Sequence, residues 1–135
     1  MSNSFSRRHK WLIMSLGLAL TACVSIMQPQ PLVNVPATLT QGASITLRPG
    51  LSISFDRVDD SRCPQNAKCV WAGRLLYLLT LHDKQDEPFT LGTSNQRFTS
   101  RSGLTVDLLN RDEPPAPILG QPPPAYTVML LINSN

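Results

Sequence analysis

An all-β fold, a small antiparallel sandwich or partly open barrel of six or seven strands, is predicted by three features of this 135-residue chain. Apolar and polar side chains alternate in several short runs, which is the period of half-buried strands rather than helices. Turn-forming residues separate the runs, as in Pro49-Gly50 and Asp83-Lys84-Gln85-Asp86-Glu87-Pro88. Setting aside a leader and a linker leaves roughly 100 residues, the size of one domain with a modest core.

The leader comes first. Arg7, Arg8 and Lys10 precede an apolar run from Trp11 to Leu20, broken only by Ser15 and Gly17. That is the pattern of an export signal, and it falls short of the about 20 residues that span a bilayer. The run closes on Leu20-Thr21-Ala22-Cys23, which resembles the lipobox of bacterial lipoproteins, with Thr21 a less usual middle residue. The resemblance implies cleavage before Cys23 and acylation of its thiol and new amine. At about 0.8 kcal/mol per buried methylene, such an anchor is effectively permanent. Residues 1–22 are then a signal peptide, 23–36 a tether and 37–135 a single domain. The expected location is the bacterial cell envelope; Val24 in place of Asp implies, by resemblance to enterobacterial sorting, the periplasmic face of the outer membrane in a Gram-negative cell.

Charge follows the same division. The formal +3 lies in Arg7, Arg8 and Lys10, and from Cys23 onward nine Lys or Arg residues face nine Asp or Glu. The basic pI therefore belongs to the leader, which removes the electrostatic case for nucleic acid as a partner.

In the tether, Gln28-Pro29-Gln30-Pro31 cannot sustain a helix, and Pro36 is expected to stop local pairing. Ile45 and Leu47 then alternate with Ser44, Thr46 and Arg48, and Leu51, Ile53 and Phe55 with Ser52, Ser54 and Asp56, so the two runs read as a hairpin about Pro49-Gly50. Trp71 to His82 is apolar on both faces, with Leu75, Tyr77, Leu79 and Leu81 on one and Leu76 and Leu78 on the other. Leucine also favours helices, but Gly73 and the flanking turns favour a central strand. Phe89 and Leu91 mark another strand, Leu104, Val106 and Leu108 a further one, and Tyr126, Val128, Leu130 and Ile132 the last. Pro114, Pro115, Pro117, Pro122, Pro123 and Pro124 cannot sit in a ladder. They read as a stiff crossover over one end of the sandwich, or alternatively as a polyproline surface for an aromatic-lined groove.

One stretch is distinctive: Asp60-Ser61-Arg62-Cys63-Pro64, a short segment, then Cys69-Val70-Trp71-Ala72-Gly73. With Cys23 consumed by lipid, Cys63 and Cys69 are the two thiols left in an oxidising compartment and are expected to pair. The loop they close is worth about 2 kcal/mol on the chain-entropy account. Their spacing is not that of a CxxC redox pair, and a metal site lacks further ligands, since His82 is the single His after the leader. Trp71 is expected to cover the sulfurs and seed the core, and Gly73 to permit a close approach or a bulge. The two halves resemble the DSRCP and CVWAG signature of a family of small uncharacterised bacterial lipoproteins and exported proteins. The resemblance spans most of residues 40 to 132 and implies a compact all-β domain without bringing an activity.

Candidate chemistry is sparse. Asp56, Asp59 and Asp60 with Ser61 offer oxygen ligands, but the spacing lacks the Gly and terminal Glu of a calcium loop. They read instead as a polar strand exit, with Asp59 or Asp60 capping turn amides and Arg62 bridging to a carboxylate. His82, with Asp83 or Asp86, supplies a base and an orienter, yet no nucleophile-elbow sequence accompanies them. Ser94 to Gln96 and Thr99 to Gly103 read as polar loops. No catalytic residue, metal or cofactor is expected. The sequence points to a non-enzymatic interaction or structural module, bound to membrane lipid through Cys23 and to an envelope protein or cell-wall component through loops or the apolar strand face, with Arg62, Pro64, Trp71, Leu76 and Leu78 as the candidate contact residues. The alternative is a ligand-binding or inhibitor domain that inserts the Cys63 to Cys69 loop into a cleft, with Arg62 and Pro64 projecting into solvent.

Overall fold

The computed structural model describes residues 28–110 and 112–134; the leader, the Leu20 to Cys23 motif and Val24 lie outside them. Eight strands follow in chain order: β1 (Val35–Thr40), β2 (Ser44–Arg48), β3 (Leu51–Asp60), β4 (Leu75–His82), β5 (Asp86–Gly92), β6 (Arg97–Thr99), β7 (Leu104–Leu108) and β8 (Thr127–Ser134). They form two four-stranded antiparallel sheets, one ordered β1-β8-β7-β6 and the other β2-β3-β4-β5. The chain is thus a small β-sandwich with one disulfide, Cys63 to Cys69.

β1 and β6 are not among the runs read from the sequence. β6 has three residues, too few for a period to register in sequence. β1 was hidden by Pro36, which lies inside the strand opposite Leu131 rather than stopping the pairing. A missing amide is tolerated there because β1 is the edge of its sheet. Ordered contact begins earlier still: the Leu32 amide donates to Ser134 Oγ at 2.8 Å and the Ser134 amide to the Leu32 carbonyl at 2.7 Å. Residues 32–36 therefore belong to the domain and not to the tether.

The alternation read from sequence sets the core. Ile53, Phe55, Leu79, Leu81 and Leu91 of one sheet meet Val106, Val128, Leu130 and Ile132 of the other, all essentially fully buried. Each such side chain contributes about 1.5–3 kcal/mol relative to exposure. Phe55 and Tyr77 meet edge to face at 5.8 Å, and Phe89 stacks on Phe98 at 4.0 Å, joining β5 to β6 across the sheets. β4 is central, as expected, but starts at Leu75 rather than Trp71.

One irregularity shapes everything at the far end of β3. The pairing of β3 with β4 slips between Phe55 and Arg57, so Asp56 is an extra residue in a bulge. Before it Leu51, Ile53 and Phe55 point inward; after it the phase reverses, leaving Asp56 and Arg57 both outside and turning Val58 and Asp60 toward the interior. A carboxylate is thereby delivered to the end of the core.

Candidate functional site

Asp60 is answered there by three donors. Arg62 Nε reaches Asp60 Oδ1 at 2.8 Å and Nη2 reaches Oδ2 at 2.7 Å, and Tyr126 donates its hydroxyl to Oδ2 at 2.7 Å. The Arg62 amide also donates to Oδ1, so the expected turn capping and carboxylate bridging are combined in one residue pair. Burial works to raise the Asp60 carboxyl, but the hydrogen bonds from Arg62 and Tyr126 outweigh it and hold the group below the usual carboxylate range. The hydrogen bond to Asp60 raises Arg62 above its ordinary value. Tyr126, buried and bonded to a carboxylate, is pushed up to about 12. Burial likewise raises Tyr77, whose hydroxyl is enclosed with no hydrogen-bond partner among the described residues.

The base of the disulfide loop continues the β3 and β4 ladder, with the Ser61 amide donating to the Arg74 carbonyl at 2.9 Å and the Cys63 amide to that of Ala72 at 3.4 Å. Gly73 makes this possible. Its φ is +67°, and a methyl at that position would overlap the Ser61 carbonyl, so the expected close approach is real.

The proline-rich crossover lies against this loop. Prolines offer no amide but keep a carbonyl that needs a donor, and the loop supplies donors. Arg62 Nη1 reaches the Pro114 carbonyl at 2.7 Å and Glu113 at 3.2 Å, the Gln65 amide reaches Pro117 at 3.0 Å, and Gln65 Nε2 reaches Ala116 at 2.6 Å. Asn66 pairs with Leu119 in both directions. Residues 113–119 thus form the lid over one end of the sandwich that the composition suggested.

Several expected site residues stand elsewhere than foreseen. The Arg62 side chain is only 13% exposed and faces the domain's own carboxylates, so it does not project into solvent, and Pro64 is half-buried. Leu76 and Leu78 stand on the outer side of β4, each half-buried. Trp71 does not enter the core: it is 66% exposed, and its neighbour Val70 is 94% exposed. It sits on the loop arm that precedes β4, outside the paired strands.

The outer face of the second sheet holds an arrangement that the sequence reading missed. Ser54 Oγ lies 3.0 Å from His82 Nε2, and His82 Nδ1 lies 2.9 Å from Asp86 Oδ1. Ser54 Oγ is also 2.7 Å from Asp56 Oδ1, and Thr80 Oγ1 donates to Asp56 Oδ2 at 2.6 Å. Three strands contribute, so no local motif announces it. Among the described residues, no group of three or more His, Cys, Asp or Glu is placed to hold a metal.

The end where the chain enters the sandwich and the Asp60 cluster lie opposite one another. Leu32 and Val35 sit beside Ser134 and Ile132 at one end, whereas Thr40, Tyr126 and Asp60 gather at the other, from which the disulfide loop extends. No family model, curated protein or solved structure matches this chain. The class of protein that fold and site define is a disulfide-stapled β-sandwich with an aromatic tip, and its function is argued from that geometry.

Proposed function

We propose that the chain is a lipid-anchored protein of the bacterial envelope that acts by recognition, using Val70 and Trp71 to engage another envelope component. Cys23 provides the anchor in this reading, and the domain is a rigid mount for the tip. The observation that carries it is the exposure of Trp71 and Val70 on a segment held by the disulfide, by Gly73 and by the crossover. A large apolar side chain presented from a fixed backbone loses little freedom on binding, and tryptophan is prominent among residues that dominate interfaces.

The direction of the tip supports a partner other than the anchoring bilayer. The chain reaches the sandwich at the Ser134 end, opposite the disulfide loop. Leu32 lies nine positions after Cys23, a reach of about 30 Å when extended. The anchored end is then near the membrane and Trp71 points away from it. The inhibitor alternative loses its Arg62 and Pro64 contacts, since Arg62 is committed to Asp60 and Glu113.

A photocrosslinking amino acid placed at residue 71 in the full chain is expected to capture one envelope component in cells. The same group at Thr38, on the opposite sheet, serves as the control. Capture from Thr38 with none from residue 71 overturns the assignment of the tip. Intact mass of the native protein tests the anchor separately: an unmodified Cys23 thiol removes it.

A further inference from the structure

We propose that Ser54 is a nucleophile toward acyl esters carrying a linear apolar chain, with His82 as its base and Asp86 as the positioning residue. This goes beyond recognition by the tip and stands on a different face. A carboxylate only accepts hydrogen bonds, so the His82 nitrogen facing Asp86 at 2.9 Å carries the hydrogen. In the neutral ring Nε2 is then the acceptor, and it lies 3.0 Å from Ser54 Oγ. Nucleophile, base and orienter within this reach are the arrangement that activates a serine.

The chemistry closes without a cofactor. Ser54 Oγ attacks the ester carbonyl as its proton passes to His82 Nε2, the bond to the leaving alcohol breaks, and that alcohol takes the proton from Nε2. Water then repeats the sequence on the acyl-serine, releasing the acid and restoring the hydroxyl. Ser54 is paired on both sides, to Ser44 of β2 and Thr80 of β4, so its strand offers no row of free amides to hold the oxyanion. Rate enhancement therefore rests mainly on the base, of order 10²–10⁴. The same face sets the chain preference: Leu78 and Leu76 continue in line beyond Thr80 and His82 on the outer side of β4, half-buried and flanked on β5 by Thr90 and Gly92. An apolar acyl chain can lie along them.

Asp56 supplies a test that a structural role does not mimic. It competes with His82 for the Ser54 hydroxyl hydrogen, at 2.7 Å, so removing it turns the hydroxyl toward the base. The full chain is treated with a fluorophosphonate probe and, in parallel, with p-nitrophenyl octanoate and acetate. The expected result is a mass adduct on Ser54, octanoate hydrolysis above acetate, and loss of both signals by at least about tenfold in Ser54→Ala, His82→Ala and His82→Gln. Asp56→Ala is expected to label severalfold faster, and Asp86→Asn more slowly, with partial rescue in Asp86→Glu. Circular dichroism confirms that each variant keeps the sandwich. No adduct at Ser54 in either the native chain or Asp56→Ala, or labelling indifferent to both His82 replacements, overturns the proposal; equal rates on the two esters overturn the chain preference alone. Crosslinking through residue 71 is unaffected by either outcome.

Discussion

Asp60 and Arg62, two residues apart, meet in a two-point ion pair beneath the disulfide loop, with only 6% and 13% of their side chains exposed. Two residues apart in a regular strand, they would share a face but stand roughly 6.5 Å apart along it. They meet because β3 ends at Asp60 and the chain turns, while the bulge at Asp56 has already aimed Asp60 inward. Through Arg62 the pair also holds Glu113 and the Pro114 carbonyl, so strand, loop and crossover share one electrostatic joint.

Removing one partner of that joint is expected to be costly. Arg62→Met leaves the Asp60 carboxylate enclosed without its counter-charge, at a loss of about 3 kcal/mol. Urea unfolding measures it. Asp60→Asn combined with Arg62→Met should recover part of the loss, because the unpaired charge is gone.

Acid should act through the same carboxylate. Its folded pKa lies below the ordinary value, so its contribution to stability is complete above about pH 5 and is lost as pH falls through the folded value. Asp60→Asn is expected to flatten the acid limb of a stability profile. At the alkaline end the sign reverses: Tyr126, at about 12 in the fold, contributes below the ordinary tyrosine value of about 10 and loses that contribution as pH rises toward its own. The chain has two tyrosines, both raised. Tyrosinate absorbance should therefore appear later in the native protein than in urea.

Gly73 and Gly120 separate two costs of adding a side chain. Both have positive φ, but nothing lies within contact of a methyl at Gly120, whereas at Gly73 it strikes the Ser61 carbonyl. Gly120→Ala should cost about 1 kcal/mol for the backbone conformation alone. Gly73→Ala should cost more, about 3 kcal/mol, since the ribbon at the loop base must also shift. Thermal unfolding of the two variants side by side gives the difference.

Opening the disulfide by Cys63→Ser with Cys69→Ser should lower stability by about 2 kcal/mol on the chain-entropy account. Because Gln65 and Asn66 still hold the crossover, the loop should stay attached at that side. Proteolysis is therefore expected to concentrate between Lys68 and Ala72, read by mass of the fragments.

Tyr77→Phe is expected to be neutral or stabilising by about 1 kcal/mol, because its enclosed hydroxyl has no partner to lose. A loss on this substitution, seen in urea unfolding, would contradict the placement of that ring.

What could be read ahead of the fold was what depends on neighbours in sequence. Leu51, Ile53 and Phe55, and Leu75 to Leu81, carry their strand and their buried face in a simple alternation. Even the bulge left a trace, since Val58 breaks the phase set by Phe55. Trp71 was assigned to the core on size, but size does not say where the strand begins; β4 starts at Leu75 and leaves Trp71 on the loop. The bridge from Arg62 to a carboxylate was legible, but its other acceptors, the carbonyls of Pro114 and Pro115, lie more than 50 residues away and left no local sign. Ser54 and His82 are 28 residues apart, and their meeting depends on a register that alternation alone does not specify.

Each outer strand of the two sheets is spoiled for further pairing. β1 contains Pro36, β5 contains Pro88, β6 is only three residues long, and β2 carries an irregular step between Thr46 and Arg48. A stranger's strand approaching any flank finds missing donors or too short a row. That blunting keeps copies of the domain from zipping laterally into fibrils, so a high density of individuals need not become an aggregate.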